Sequence, residues 1–486
     1  MKPMKLSNMS KIRMYKYAGV ALIVLSFTGC KTPALVQRTE NTTVLANYEN
    51  ASQDTVNVAT LTWKEYFTDP YLDTLIETAL KNNQELNITL QEIEIAKNEI
   101  RARKGEYLPF VGLKGGAGVE KVGRYTSQGA NDANTEIKPG KEFPDPLPDF
   151  MVGAYASWEI DIWGKLHNAK KAAISRYLST VEGKNFMVTN LIAEIANSYY
   201  ELLALDNQLE IVNQNIEIQS NALEIVKLQK QAARTTELAV RKFEAEVLKT
   251  RSLQYDIQQS IVETENRINY LAGRFPQHVE RDHTTFGSIL PTTVKAGIPS
   301  QLLANRPDIK QAEFELAASK LDVKVAKAKF YPSLGITAGI GYQAFNPSYL
   351  IKTPQSLLYS LAGDLTAPLI NRNAIKAEYY SANSRQLQAV YDYERTILNG
   401  YIEVANQLSK IKNLEKSYDL RSQQVDALTE SINISNDLFK SARADYMEVL
   451  LTQRDALESR FELIETRKQQ LNAVVNIYKA LGGGWN

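Results

Sequence analysis

Apolar residues recur three and four apart along two long stretches of the chain. In the first, Ile192, Ile195, Tyr199, Leu202, Leu205, Leu209, Val212, Ile216, Leu223 and Val226 form one seam. In the second, Ile411, Leu414, Tyr418, Val425, Leu428 and Ile432 keep a heptad broken at Arg421. Such seams mark helices packed side by side as coiled coils. Proline is absent from residues 149–275 and 369–486, and the same stretches are nearly free of glycine, with Gly183 and Gly400 inside the helical parts. A helix of about 65 residues at 1.5 Å per residue would reach roughly 100 Å, several times a bilayer's thickness. Shorter segments alternate instead. Val152, Ala154, Ala156, Trp158, Ile160 and Ile162 are interleaved with Gly153, Tyr155, Ser157, Glu159 and Asp161. The same period of two runs through Leu334, Ile336, Ala338 and Ile340, and through Leu361, Gly363, Leu365 and Ala367. These read as strands with one apolar and one polar face.

The pattern occurs twice. An offset of 223 residues carries Leu86, Ile93, Lys97, Ile100, Lys104, Tyr107 and Pro109 onto Ile309, Leu316, Lys320, Val323, Lys327, Phe330 and Pro332. An offset of 209 carries Glu194, Ala196, Asn197 and Arg234 onto Glu403, Ala405, Asn406 and Arg443. Each copy therefore reads as helix, strand, loop, strand, long helix, turn, long helix. The long polar segments 120–149 and 343–355 are the loops between paired strands, and the hairpin turns fall near residues 231–238 and 440–447.

The N-terminus sets the compartment. Lys2, Lys5, Lys11, Arg13 and Lys16 precede an apolar run over residues 17–27, and Thr28-Gly29 lead into the single cysteine, Cys30. Residues 1–29 read as a secretory signal peptide. The ending Phe27-Thr28-Gly29-Cys30 resembles a bacterial lipobox, with Phe where Leu is usual. Cys30 would then carry palmitate-type acyl chains, and several such chains anchor a protein stably. Alternating strands would otherwise suit a soluble domain. With a lipid signal, and without a second long apolar helix, they read as membrane-spanning strands of about 10 residues. Two copies supply four strands, too few to close a barrel, so the subunit must oligomerise; three copies give twelve strands.

Charge and chemistry narrow the function. With 56 Lys plus Arg against 55 Asp plus Glu there is no basic field to collect nucleic acid. One cysteine and three scattered histidines, His167, His278 and His283, give no metal centre. No phosphate-binding glycine loop is present, Glu159 and Asp161 read as polar lumen lining, and His278 and His283 as part of a solvated connector. An enzyme and a cofactor are not expected.

The residues Trp158-Glu159-Ile160-Asp161-Ile162-Trp163-Gly164-Lys165, Ile298 to Leu303, Arg306-Pro307-Asp308-Ile309, Ala312-Glu313 and Phe330-Tyr331-Pro332-Ser333-Leu334 carry a resemblance. So, more weakly, do Phe67 to Pro70 and Asp445 to Leu450. The chain resembles the TolC-type outer-membrane efflux proteins, in the lipoprotein branch serving resistance-nodulation-division (RND) pumps. His167 stands where the family commonly has Arg. Ser441-Ala442 replaces a usual glycine before the turn's Arg, which blurs the turn geometry.

The resemblance implies an α+β membrane protein: a trimeric 12-stranded outer-membrane β-barrel continuous with a long periplasmic α-helical barrel, each subunit an internal duplication. Its segments would be the signal peptide 1–29, a lipid-anchored segment 30–62, efflux repeat 1 at 63–275, a connector 276–299 and efflux repeat 2 at 300–486. It implies a homotrimer in outer-membrane lipid, conducting substrates delivered by an inner-membrane RND pump through a periplasmic adaptor. Thr235, Thr236, Glu237, Ala444 and Asp445 would be the adaptor-contact tips. Glu448 lies in the stretch matching the family's acidic constriction, and Arg443 and Arg234 could tie neighbouring helices shut. Leu451 replaces the family's second acid, so a partly hydrophobic closure is expected. Two other readings remain, a lipid-anchored periplasmic coiled-coil scaffold and an outer-membrane channel for protein secretion.

Overall fold

The computed structural model describes residues 32–48, 56–288, 295–441 and 443–485. The signal peptide and Cys30 lie outside the described residues. The chain forms two compact units, and each draws on both sequence repeats. One comprises Ile95–Tyr177 and Phe314–Val390 with the leading segment to Thr39; the other comprises Glu40–Glu94, Leu178–Glu313 and Tyr391–Asn486.

Repeat 1 contains α1 (Pro70–Asn82), α2 (Gln84–Glu106), β1 (Phe110–Glu120), the loop elements α3 (Ser127–Asp132), β2 (Glu136–Lys138) and β3 (Lys141–Glu142), then β4 (Leu147–Ile160), α4 (Lys165–Gln231) and α5 (Glu237–Leu271). Repeat 2 contains α6 (Pro307–Ala328), β5 (Ser333–Ala344), β6 (Leu357–Thr366), α7 (Asn373–Lys440) and α8 (Tyr446–Ala480). The long helices α4 and α7 run 67 and 68 residues, as the proline-free stretches require.

In the first unit the strands form one antiparallel sheet in the order β1-β4-β5-β6. Its register explains its two faces. Leu113 is opposite Ala154, Ala154 opposite Ile340 and Ile340 opposite Tyr359; Val111, Ala156, Ala338 and Leu361 form the next row. Residues in register share a face, so this face is apolar throughout, and it is bare: Leu113 is 88% exposed and Leu361 80%. The opposite face carries Lys114, Tyr155, Ser157, Glu159, Thr337 and Asp364 among glycines.

Three sequence readings shift at the strand ends. β4 stops at Ile160, so Asp161 and Ile162 lie beyond the sheet. Asp161 is no partner for Glu159: its carboxylate accepts from the amides of Leu166 (3.2 Å) and His167 (2.8 Å), satisfying orphan donors at the start of α4. Glu159 pairs with Lys165 instead, at 2.5 Å. β6 ends at Thr366, leaving Ala367 outside. The loop between β1 and β4 narrows to residues 121–146 and contains α3 and the β2–β3 hairpin.

In the second unit the apolar seam of α4 is buried where it was read: Ile192, Ile195, Tyr199, Leu202, Val212 and Val226 are in the core, while Leu205, Leu209 and Ile216 are half-buried. Asp69 caps α1 ahead of Pro70 at the first helical position, and Tyr199 donates its hydroxyl to the same carboxylate at 2.8 Å. Tyr66 stacks on Tyr478 with ring centres 4.1 Å apart.

The duplication extends to individual backbone bonds. α5 and α8 end in the same motif, with a left-handed glycine at Gly273 (φ 67°) and Gly482 (φ 89°). A Cβ on either would lie 2.3 Å from the Asn82 carbonyl oxygen or 2.6 Å from that of Asn305, so only glycine fits. The connector is not merely solvated, as the sequence suggested. Val279 is in the core, and the buried guanidinium of Arg281 holds Asp206 and Glu265, each at 2.5 Å. His278 Nδ1 lies 3.0 Å from Glu265, and His283 Nε2 3.9 Å from Glu210.

Candidate functional site

The two hairpin turns are built alike. After α4, Arg234 N–H donates to the Gln229 carbonyl (2.8 Å) and Ala233 N–H to that of Lys230 (2.9 Å), with Ala233 at φ 56°. These bonds define a Schellman cap with alanine in the position that favours glycine. After α7, Arg443 N–H donates to the Leu438 carbonyl at 2.9 Å, the matching six-to-one bond. The expectation that Ser441-Ala442 blurs this turn falls on Ala442, which lies outside the described residues.

Each following helix starts at an N-cap one repeat apart, Thr236 for α5 and Asp445 for α8. The Thr236 hydroxyl accepts from Ala239 N–H at 3.3 Å; the Asp445 side chain makes no such bond. Glu237, in the first turn of α5, pairs with Lys230 across the turn and with Arg241 at 2.9 Å. The Lys230 hydrogen bond is the first of the interactions that hold its carboxyl below the ordinary value.

The turns meet through a shared apolar cluster: Leu223, Val226, Ala239, Val240, Phe243, Val247 and Val449, with Phe439, Tyr446 and Leu450 at its edge. Val449, at 1% exposure, faces into the cluster, and this sets the direction of its neighbours. Glu448 is exposed and Leu451 is 41% exposed, three residues on and on the same side of the helix. Arg234 and Arg443 are exposed too, as are Asp445 and Thr236, while Thr235 and Ala444 are half-buried. The fold thus gathers all the expected tip and gate residues at one end of the helical hairpins. Among the described residues Glu448, Arg443 and Arg234 form no ion pair within the chain.

Two residues of this region escaped the sequence reading. Gln219 and Gln453 are each 1% exposed, and neither amide has a hydrogen-bond partner among the described residues. Gln219 sits one turn below Leu223, and Gln453 one turn beyond Val449. The signal was present: Val212, Gln219 and Val226 are spaced by sevens, so a polar residue occupies a seam position. A second missed cluster surrounds Arg306, 4% exposed, which binds Asp308 and Glu403 at 2.7 Å each.

Among the described residues no group of three or more His, Cys, Asp or Glu side chains could hold a metal ion, and no helix is long and apolar enough to cross a membrane. The apolar surface suited to lipid lies on the sheet.

A family model described as "Outer membrane efflux protein" matches residues 75–274 and 298–483. The chain is 28% identical over 423 residues to the pyoverdine export outer membrane protein OpmQ of Pseudomonas aeruginosa, with 87% of each chain covered. It is 24% identical over 482 residues to the probable outer membrane lipoprotein SilC of Salmonella typhimurium, with 99% of each covered. Its fold is that of a membrane protein from Pseudomonas aeruginosa solved by crystallography: TM-score 0.82 at 23% identity, covering 93% of this chain and 99% of that one.

Proposed function

The chain belongs to the outer membrane efflux protein family and is an outer-membrane efflux channel protein, and from that premise we propose how it works as one. Three copies close a 12-stranded barrel. The observation that carries this reading is the sheet: four strands, one wholly apolar face, and two edges, β1 and β6, with no partner among the described residues. Unpaired edges are untenable in hydrocarbon. β1 and β6 run in opposite directions, so β6 of one subunit pairs with β1 of the next in the same antiparallel sense. A periplasmic scaffold would instead leave this apolar face in water.

The helices repeat the argument. Leu248, Tyr255 and Val262, spaced by sevens on α5, are exposed in the single chain, as are Leu398, Ile402, Leu420 and Ile434 on α7. Packing α5 of one subunit on α7 of the next covers both stripes and produces a helical tunnel. The tunnel tip, with Thr235, Thr236, Glu237, Ala444 and Asp445, meets a periplasmic adaptor, and an inner-membrane RND pump supplies the energy. Glu448 forms a ring of three carboxylates, Arg443 and Arg234 reach neighbouring helices, and Leu451 adds an apolar constriction. Cys30 carries the lipid anchor; five residues later Leu35 packs on the Ala326, Phe330, Tyr379 and Ala382 cluster of the unit that holds the sheet.

Cysteines stepped in pairs along β1 and β6 test the closure. Oxidation in intact outer membranes should yield disulfide-linked trimers for the pairs in register. Monomers at every register would refute the barrel.

A further inference from the structure

The loops at the end of the sheet away from α4 and α7 gather positive charge around aromatic rings. In the β2–β3 hairpin Lys138 and Lys141 are direct cross-strand partners, a placement that costs stability because like charges face each other. Lys138 donates to the Tyr349 hydroxyl at 2.6 Å, and its ammonium lies 4.8 Å from that ring's centre. Lys352 approaches the same ring at 4.6 Å. Lys141 stands 5.6 Å from the ring of Phe345, which is itself 5.4 Å from Tyr349. Three ammonium groups from two loops thus converge on one aromatic pair.

Among the described residues, none of the three lysines forms an ion pair with a carboxylate. The hairpin's own acids are Glu136, whose carboxylate accepts from Gly140 N–H at 2.9 Å, and Glu142. An anion seated among the lysines would offset the repulsion between the facing Lys138 and Lys141. The phenol of Tyr349 is held below its ordinary value, chiefly by the Lys138 hydrogen bond, which reports the same positive field. Beside Lys352, Ile351 is 79% exposed, an apolar side chain next to the charges.

We propose that Lys138, Lys141 and Lys352 bind the phosphate groups of the outer-leaflet glycolipid. The proposal rests on the outward placement of these loops. A phosphate carries about −1.5 to −2 charges and three acceptor oxygens, enough to engage all three ammonium groups. The lipid source follows from the setting, because this end of an outer-membrane sheet is ringed by a phosphorylated glycolipid, and an exposed isoleucine suits an amphiphile better than a free ion.

The test titrates the purified full-length protein in mixed micelles with lipid A bearing two phosphates. The K138Q/K141Q/K352Q variant should bind at least about tenfold more weakly, the loss of several charge-assisted contacts. The triple Arg variant, which keeps the charge, should stay within about twofold of wild type. Unchanged affinity in the Gln variant overturns the proposal. So does displacement of lipid A by inorganic phosphate at equal concentration, which would mark a free-anion site. Placement is tested separately: Ile351→Cys should react with a membrane-impermeant maleimide on intact cells. Absence of labelling would overturn the outward placement, whereas labelling with unchanged lipid A binding would overturn the glycolipid site alone.

Discussion

Arg306 donates from Nη1 to the carbonyl oxygen of Ala480 at 2.8 Å. The bond closes the end of α8 against the start of α6, and one repeat earlier Asn83 does the same to Leu271 at 2.9 Å. Helix C-termini leave carbonyls unpaired, and each repeat satisfies one from the residue just before the helix that leads into its strands, Asn83 before α2 and Arg306 before α6. Repeat 2 uses a charged donor and adds the Asp308 and Glu403 carboxylates.

Arg306→Ala should therefore destabilise more than Asn83→Ala. Removing a buried cation from its partners costs about 3 kcal/mol here, the low end of the usual range because Glu403 is half exposed. Losing the neutral Asn83 amide, which also accepts from Leu86 N–H at 2.9 Å at the start of α2, costs about 1–3 kcal/mol. Thermal dissociation of the purified oligomer, followed by gel mobility, would rank the two; the opposite order would contradict the assignment.

Ala233 holds a left-handed conformation at φ 56°, which costs a residue with a Cβ roughly 1–2 kcal/mol. Ala233→Gly should tighten the first tip turn by about 1 kcal/mol, slowing hydrogen exchange at the Arg234 amide about fivefold. Faster exchange would show that the Schellman bonds do not set local stability.

Glu237 gives the tip a pH dependence. Its carboxyl is held below 4.5 by Lys230 first, and also by Arg241. Folding thus favours the charged form, and its contribution is complete above 4.5 and lost as pH falls through the lower folded value. Amide exchange at the start of α5, corrected for intrinsic rates, should accelerate on acidification from about pH 6 to about pH 3. The acceleration should be smaller in Glu237→Gln.

The seams and the alternation were readable because each reports a face that must be buried or bared, and periodicity records faces. Ile192 through Val226, and the Leu334 to Ile340 row, landed where their spacing placed them. Asp161 did not, because the alternation continues past the strand while the side chain serves backbone amides, a contact with no sequence period. Arg306 was visible only as part of a motif, since its partners Glu403 and Ala480 are far off in sequence. The proposed gate residues, Glu448, Arg443, Arg234 and Leu451, were located by the duplication and the resemblance. What they touch across the axis depends on neighbouring subunits, which no single-chain pattern records.

Cys30→Ser should remove the acyl mass from the mature protein. Intact mass spectrometry of membrane-extracted protein measures this directly, and an unchanged mass would end the lipoprotein assignment. Outer-membrane insertion should persist, because the apolar sheet face offers far more lipid-facing area than an anchor.

A trimer that conducts and is closed at the tip by Glu448, Arg443 and Leu451 has an electrical signature. Single-channel conductance of the purified protein in planar bilayers, wild type against Glu448→Ala with Arg443→Ala, reads it. The wild type should show a small conductance, blocked by divalent cations at the Glu448 ring, and the double variant a larger, less cation-sensitive one. Equal conductance with unchanged cation block would place the gate elsewhere, and the absence of any conductance in both proteins would contradict the channel itself.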